Sequence, residues 1–287
     1  MISIKFIKYV IKISGLFLRP INYKGFYKVL KFFNFITTDK LTLINLTKSK
    51  KFVFNLNDPY WSLLIANGYI YEKEIYHYKK KILNSFSSVN SLMFLDLGSN
   101  IGYWSIIFSD FLETSNIIAV EPNPLNNKIH NLNRYINNLD YLVLERAVTS
   151  KDNENVKLII DHENITSVGS HITNLNTTEE FINVKTISIP SIMNDIEEEC
   201  YWIIKLDIEG AEIDALDFLK SYSKNNLFII YEDHGRDNLS KISNYLINLR
   251  YDIYHWNGKD NILVTLEEIN KIKKNKKKGY NFLAIKS

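Results

Sequence analysis

Apolar and polar positions along this chain follow two regimes that meet near residue 90. Beyond that point, short apolar runs bounded by turn residues alternate with longer stretches of helical spacing. The runs predict strands at 92–97, 116–120, 141–146, 200–206, 226–231, 251–255 and 281–285, with helices starting near Gly102, Leu125, Ala211 and Asn238. Strands alternating with helices are the pattern of an α/β fold with a doubly wound parallel sheet. Between the third and fourth strands, 156–160 and 184–189 read as an inserted antiparallel excursion.

Residues 1–90 read instead as an aromatic-rich, mostly helical lead-in with one hairpin, 41–46 with 51–56. Ile4, Ile7 and Ile11 fall at helical spacing with Lys5, Lys8 and Lys12 between them. Lysines that interrupt an apolar stretch do not make a signal peptide. Nor is there the run of roughly twenty uncharged apolar residues that a spanning helix needs. Two readings follow: a basic amphipathic helix lying on a membrane, or a helix packed on the body or on a second copy in a homo-oligomer.

Composition narrows the function classes. An apolar fraction of 46% supports a substantial core. The single cysteine, Cys200, cannot form an internal disulfide and reads as a core thiol in a reducing, cytoplasmic setting. No Cys/His spacing matches a structural zinc site. The net charge of +3 conceals an asymmetry: residues 1–50 carry ten Lys/Arg against Asp39 alone, and residues 271–287 carry seven lysines and no acid. The body between is therefore acidic, unlike a nucleic-acid enzyme with its basic cleft. Basic ends are compatible with peripheral contact with an anionic membrane. The lysine run 271–278 reads as a solvated turn.

The chemistry gathers at strand ends, where open α/β sheets bind ligands. The first strand ends Asp96-Leu97-Gly98-Ser99-Asn100-Ile101-Gly102. Gly98 permits a sharp turn close to a ligand, and Gly102 lets the next helix pack tightly. This spacing is not the Gly-x-Gly-x-x-Gly of a pyrophosphate site. Asn100 places an amide where a dinucleotide needs bare backbone, favouring a ligand with an amino-acid tail. Glu121 ends the second strand, nineteen residues after Gly102, where a carboxylate can accept hydrogen bonds from ribose hydroxyls. Asp207, Glu209 and Glu212 follow the fourth strand, and Glu232, Asp233 and His234 end the fifth. Asp207 stands where a nucleophile would approach, with Glu209 beside it, and His234 is the general-base candidate because imidazole titrates near working pH. Glu212 faces a helix N-terminus and doubles as a cap. Asp207, Glu232 and Asp233 also offer an oxygen set suited to Mg²⁺.

The segments DLGSNIGYWS, AVEPNP, RAVTSKDN, SIPSIMNDI and IIKLDIEGAEIDAL, in this order and spacing, resemble the FkbM family of S-adenosylmethionine-dependent methyltransferases. The resemblance runs from about Tyr69 to the terminal NFLAIK, roughly three quarters of the chain. It implies a class I, Rossmann-like methyltransferase fold, a seven-stranded sheet with helices on both faces, and methyl transfer usually to a hydroxyl oxygen. It further implies that Asp96, Gly98, Asn100 and Gly102 hold the methionine portion of the cofactor and that Glu121 holds the ribose with Asn123 beside it. Arg146 and Ala147 would flank the adenine, and Glu72 would lie in a segment closing over the cofactor. Residues 1–68 match nothing in the family and form the basic extension; 69–287 form the methyltransferase domain. The expected function is O-methylation of a glycan or secondary metabolite, with no nucleic acid as partner. The rivals are a nucleotide or other small-molecule N-methyltransferase and a non-catalytic, membrane-associated scaffold. The first would carry Asn/Asp-Pro-Pro-aromatic after the fourth strand, where this chain has Asp207-Ile-Glu-Gly.

Overall fold

The computed structural model describes residues 4–18, 26, 41–56, 58, 60–66, 69–84, 92–160, 171–173, 180–196, 200–208, 210–233, 239–274 and 280–286. Helix α1 (Ile4–Leu18) and a hairpin of β1 (Leu41–Asn45) and β2 (Lys51–Asn55) come first. A 3-10 turn, Trp61–Ile65, and α2 (Lys73–Leu83) lead into β3 (Leu92–Leu97). Then follow α3 (Tyr103–Phe108), β4 (Ile117–Val120), α4 (Pro124–Ile136) and β5 (Leu142–Leu144). An excursion holds β6 (Ala147–Val148), β7 (Asn155–Ile159), β8 (His171–Thr173) and β9 (Phe181–Ile187). The remainder is α5 (Ile189–Asn194), β10 (Tyr201–Leu206), α6 (Glu212–Ala215), β11 (Leu227–Glu232), α7 (Lys241–Asn248), β12 (Tyr251–Trp256), β13 (Asn261–Leu263), α8 (Leu266–Lys273) and β14 (Asn281–Lys286).

Among the described residues the main sheet has eight strands in the order β13-β12-β14-β11-β10-β3-β4-β5. The strands from β5 through β11 pair in parallel, and β14 runs antiparallel to both β11 and β12. All seven expected strands are there, and β13 is an eighth, so the seven-stranded expectation is corrected by one edge strand. It is the return arm of a hairpin with β12, closed by the four residues 257–260, in which Gly258 takes positive φ. The third expected strand is shorter than its apolar run, because the chain leaves the sheet after Leu144 and re-enters pairing as β6 against β9.

The central strands read as unbroken apolar runs because both faces are covered. β3 is buried along its whole length, and alternate side chains enter two cores. Leu95 and Leu97 join Ile204, Leu206 and Tyr231 in one; Phe94 joins Ile203, Ile230 and Leu283 in the other. That second core also takes Phe52, Phe54 and Trp61 together with Ile75 and Tyr78 of α2, so the hairpin and the 3-10 turn roof the sheet. Helix α4 starts where Asn123 accepts the Leu125 N–H and Pro124 takes the first turn.

At the basic ends one expectation changes, and for the first helix the packed reading is met on one face. Lys271 and Lys273 belong to α8 rather than to a solvated turn, and Lys273 is buried. In α1, Ile7 and Ile11 pack on Leu56 and Ala66. Among the described residues, no helix is long and apolar enough to cross a membrane.

Candidate active site

The strand order reverses between β3 and β10, and a cleft opens at the carboxyl ends of β3, β4 and β10. It encloses about 830 Å³ including the part open to solvent. Its floor depends on one residue lacking a side chain. Gly98 has φ +74°, and a Cβ there would lie 1.7 Å from the Asp207 carbonyl oxygen. The Asp207 N–H in turn donates to the Leu97 carbonyl at 3.1 Å, tying the two strand ends together. Asn100 also adopts positive φ, 50°, and its side-chain oxygen accepts the Ile101 N–H at 2.9 Å. That conformation aims the Asn100 backbone N–H at Glu121 Oε2, 2.9 Å away.

Glu121 is buried and held from three directions. Oε1 accepts the Asn123 N–H at 2.9 Å and Asn126 Nδ2 at 3.2 Å, opposite the Asn100 bond to Oε2. Burial pushes its pKa up to about 7, against the lowering effect of these donors. Asp96 lies deeper: Oδ2 accepts Ser105 Oγ at 2.6 Å, while Oδ1 is buried without a partner. Burial raises the Asp96 pKa despite nearby Lys205. Ala147 and Val148 of β6, with Leu158 and Ile172 of the excursion, give the cleft an apolar wall.

Beside these groups stands a second cluster. Lys205 is paired in register with Asp96 across β10 and β3, on the same face of the sheet. Its ammonium lies 2.9 Å from Asp207 Oδ2. Burial pushes Lys205 toward neutrality, but Asp207, Glu72 and Asp96 outweigh it and hold its pKa above the usual lysine value. Glu72 accepts the Trp104 indole N–H at 2.5 Å. Burial pushes the Glu72 pKa up to about 7, Lys205 opposing and Asp207 adding to the shift. Glu72, Asp207 and Glu232 bring carboxylate oxygens within 4.8 Å of one another. Aromatic rings close the cleft above them. Tyr60 and Tyr71 are hydrogen-bonded hydroxyl to hydroxyl, Trp61 stacks on Tyr103 at 5.6 Å, and Tyr71 meets Tyr103 edge-on at 4.9 Å.

Of the residues singled out in the sequence, Asp96, Gly98, Asn100, Glu121, Ala147 and Asp207 line this one cleft. Glu72 joins them through Trp104 and the carboxylate cluster. Gly102, Asn123 and Arg146 do not line it. A Cβ on Gly102 would meet the His130 ring at 2.4 Å, so this glycine serves helix packing. Asn123 caps α4, and the Arg146 guanidinium turns outward to the Glu145 carbonyl at 2.9 Å. Asp233 also departs from expectation, and with it the Mg²⁺ set of Asp207, Glu232 and Asp233. Successive strand-end residues face opposite ways, so Glu232 turns to the cleft and Asp233 away from it. Asp233 is instead buried against Lys273, and it accepts the Ser243 hydroxyl at 2.5 Å. Glu212 is the first residue of α6 and accepts the Gly210 N–H at 2.9 Å, ahead of the helix, so it ties the preceding turn rather than capping a helix N–H. His234 and Glu209 lie outside the described residues.

Lys205, Trp104 and the Tyr60–Tyr71 pair were not singled out. Lys205 had a legible signal, a charged residue at an inward position of a strand otherwise apolar. The aromatic roof had none, because it is assembled from segments far apart in sequence. His130 is a core residue, its pKa pushed down to about 3 by burial, with Arg134 adding to the shift.

A family model described as the methyltransferase FkbM domain matches residues 96–271. No curated protein matches the chain. Among solved structures, the chain is similar to a methyltransferase FkbM from Methylobacillus flagellatus KT at 16% identity and a TM-score of 0.42, over 68% of this chain and 44% of that one. The chain thus spans less than half the length of that relative. It is also similar to a precorrin-6y C5,15-methyltransferase from Geobacter metallireducens GS-15, at 14% identity and a TM-score of 0.38, covering 73% and 87%. A third is TYW2 of P. horikoshii in complex with MeSAdo, at 11% identity and a TM-score of 0.40, covering 94% and 85%. With a family model covering more than half its length and the strand order described above, the chain belongs to the FkbM methyltransferase family.

Proposed function

We propose that the protein transfers the methyl group of S-adenosylmethionine to a hydroxyl oxygen of a glycan or a similar small secondary product. The observation that carries this reading is the Glu72–Asp207–Lys205 cluster, set beside a cleft whose deep end presents an orphaned carboxylate oxygen. Asp96 Oδ1, buried and unpartnered, suits the ammonium group of the cofactor's methionine portion. Glu121, fixed by its donors, suits the ribose hydroxyls, and Ala147 and Val148 suit the flat face of an adenine.

When bound, S-adenosylmethionine supplies a methyl carbon already activated by its sulfonium. The chain's own tasks are then alignment and removal of the acceptor's proton. Glu72 takes that proton. A carboxyl with a pKa near 7 is ionised enough to accept a proton at neutral pH and basic enough to keep it. Trp104 fixes one Glu72 oxygen, and Lys205 fixes Asp207, which orients the acceptor beside it. The rings of Tyr60, Trp61, Tyr71 and Tyr103 keep water from the reacting atoms and offer apolar faces to a sugar.

The test is an acceptor screen: purified protein with S-adenosylmethionine and a panel of sugars and hydroxylated metabolites, reading S-adenosylhomocysteine release. Turnover with hydroxylated acceptors, lost in Glu72→Gln and Asp207→Asn while cofactor binding is kept, supports the reading. Turnover only with amine acceptors, or full activity in both variants, contradicts it.

A further inference from the structure

Helix α1 has two apolar sides, and among the described residues only one of them packs on the fold. Ile7 and Ile11 are buried on Leu56 and Ala66, with Leu63 and Ile65 beside them. On the opposite side Tyr9, Ile13, Leu16 and Phe17 recur at three- and four-residue spacing, which places them on one stripe. Tyr9 is 61% exposed, Leu16 51% and Phe17 77%. An exposed row of such side chains is a strong drive toward a second apolar phase.

Charge identifies that phase. Lys5 and Lys12 are exposed one helical turn from Tyr9, and Lys12 also lies one turn from Leu16, so cations border the stripe. They stand in a segment, residues 1–50, with ten Lys/Arg and one acid. Lys8, on the flank toward the body, is tied to the Leu43 carbonyl at 2.6 Å and fixes the helix against β1. An apolar stripe edged by lysines fits the boundary of a bilayer, where rings enter the acyl region and ammonium groups reach lipid phosphates. A second copy of this chain would bring two strongly basic segments together, which charge repulsion opposes. At fifteen residues, α1 is about 22 Å long, too short to cross a bilayer core of about 30 Å, so the helix lies on the surface.

We propose that the outer face of α1 docks this protein on an anionic lipid surface. This inference does not depend on the methyl-transfer reading, although the two meet in one element. Helix α1 rests on the 3-10 turn Trp61–Ile65, and Trp61 lines the cleft, so a docked α1 holds that cleft wall against the membrane side of the molecule.

The test is co-sedimentation of the full chain with sucrose-loaded vesicles, either phosphatidylcholine alone or phosphatidylcholine mixed with phosphatidylglycerol. Three proteins are compared: wild type, Tyr9→Ser/Phe17→Ser and Lys5→Ser/Lys12→Ser. All altered side chains are exposed, and circular dichroism with a thermal melt verifies that each variant is folded. Wild type is expected to sediment with the anionic vesicles and much less with the neutral ones. Losing both lysines should weaken partitioning about 25-fold, at about fivefold for each cation near the surface, and added salt should mimic that loss. The aromatic variant should also detach. Absence of wild type from the anionic vesicle pellet overturns the proposal, as does sedimentation indifferent to both variants. So does a dimer in light scattering that the aromatic variant dissolves while wild type ignores vesicles.

Discussion

Gly98 and Asp207 sit so close that a single added carbon would collide: a Cβ on Gly98 would lie 1.7 Å from the Asp207 carbonyl oxygen. The glycine turn after β3 and the acid after β10 are thus one packed unit, although over a hundred residues separate them. Gly98→Ala should cost about 3 kcal/mol or more, from positive φ together with overpacking. Gly258→Ala is the control: φ is also positive, +105°, but nothing lies within 4 Å, so only the backbone cost of about 1–2 kcal/mol remains. Denaturant melts of the two variants measure the difference.

Cofactor affinity should fall as pH drops through about 7. Glu121 has a pKa near that value because it is buried, and only its ionised form accepts from two ribose hydroxyls. Titration of S-adenosylhomocysteine from pH 8 to pH 6 should show progressive weakening, abolished in Glu121→Gln, whose affinity should be low and flat.

Glu72→Gln should separate turnover from stability. Turnover should fall by about 100-fold or more with cofactor affinity little changed, as for loss of a general base. The folded-state pKa near 7 lies above the ordinary value of 4.5, so the native protein binds more protons than the unfolded chain between these values. Stability from this group therefore declines as pH rises across that window. The variant should melt higher than wild type above pH 7 and close to it below about pH 4.5.

Asp233 and Lys273 form a buried ion pair behind the site. Removing one partner leaves the other buried without its counter-charge, so Asp233→Ala or Lys273→Ala should destabilise by about 3–5 kcal/mol. Affinity for S-adenosylhomocysteine, measured below the melting transition, should stay near wild type. Removing both partners together should cost less than the sum of the single changes.

Much of the sheet was legible because burial on both faces writes itself as apolar runs, and β3 matches its run residue for residue. β13 went unread because three residues carry no period, although Asn257-Gly258 marked its hairpin. In the site, Gly98, Asn100 and Glu121 were readable because strand–turn–helix order places their backbone directly. Asp233 adjoins Glu232 in sequence but not in the site, because strand alternation sends the two side chains opposite ways. The Lys273 that it meets lay inside what read as a solvated lysine run. The aromatic roof was out of reach, since Tyr60, Tyr71 and Tyr103 converge only through tertiary packing.

The central claim is that this cleft binds S-adenosylmethionine through Asp96 and Glu121, and calorimetric titration with S-adenosylhomocysteine tests it most directly. Wild type should bind with one site per chain, and Glu121→Ala and Asp96→Asn should each lose about tenfold or more in affinity, the loss of a charge-assisted hydrogen bond or two. Absence of binding to the wild-type protein, or equal affinity in all three proteins, would contradict the account.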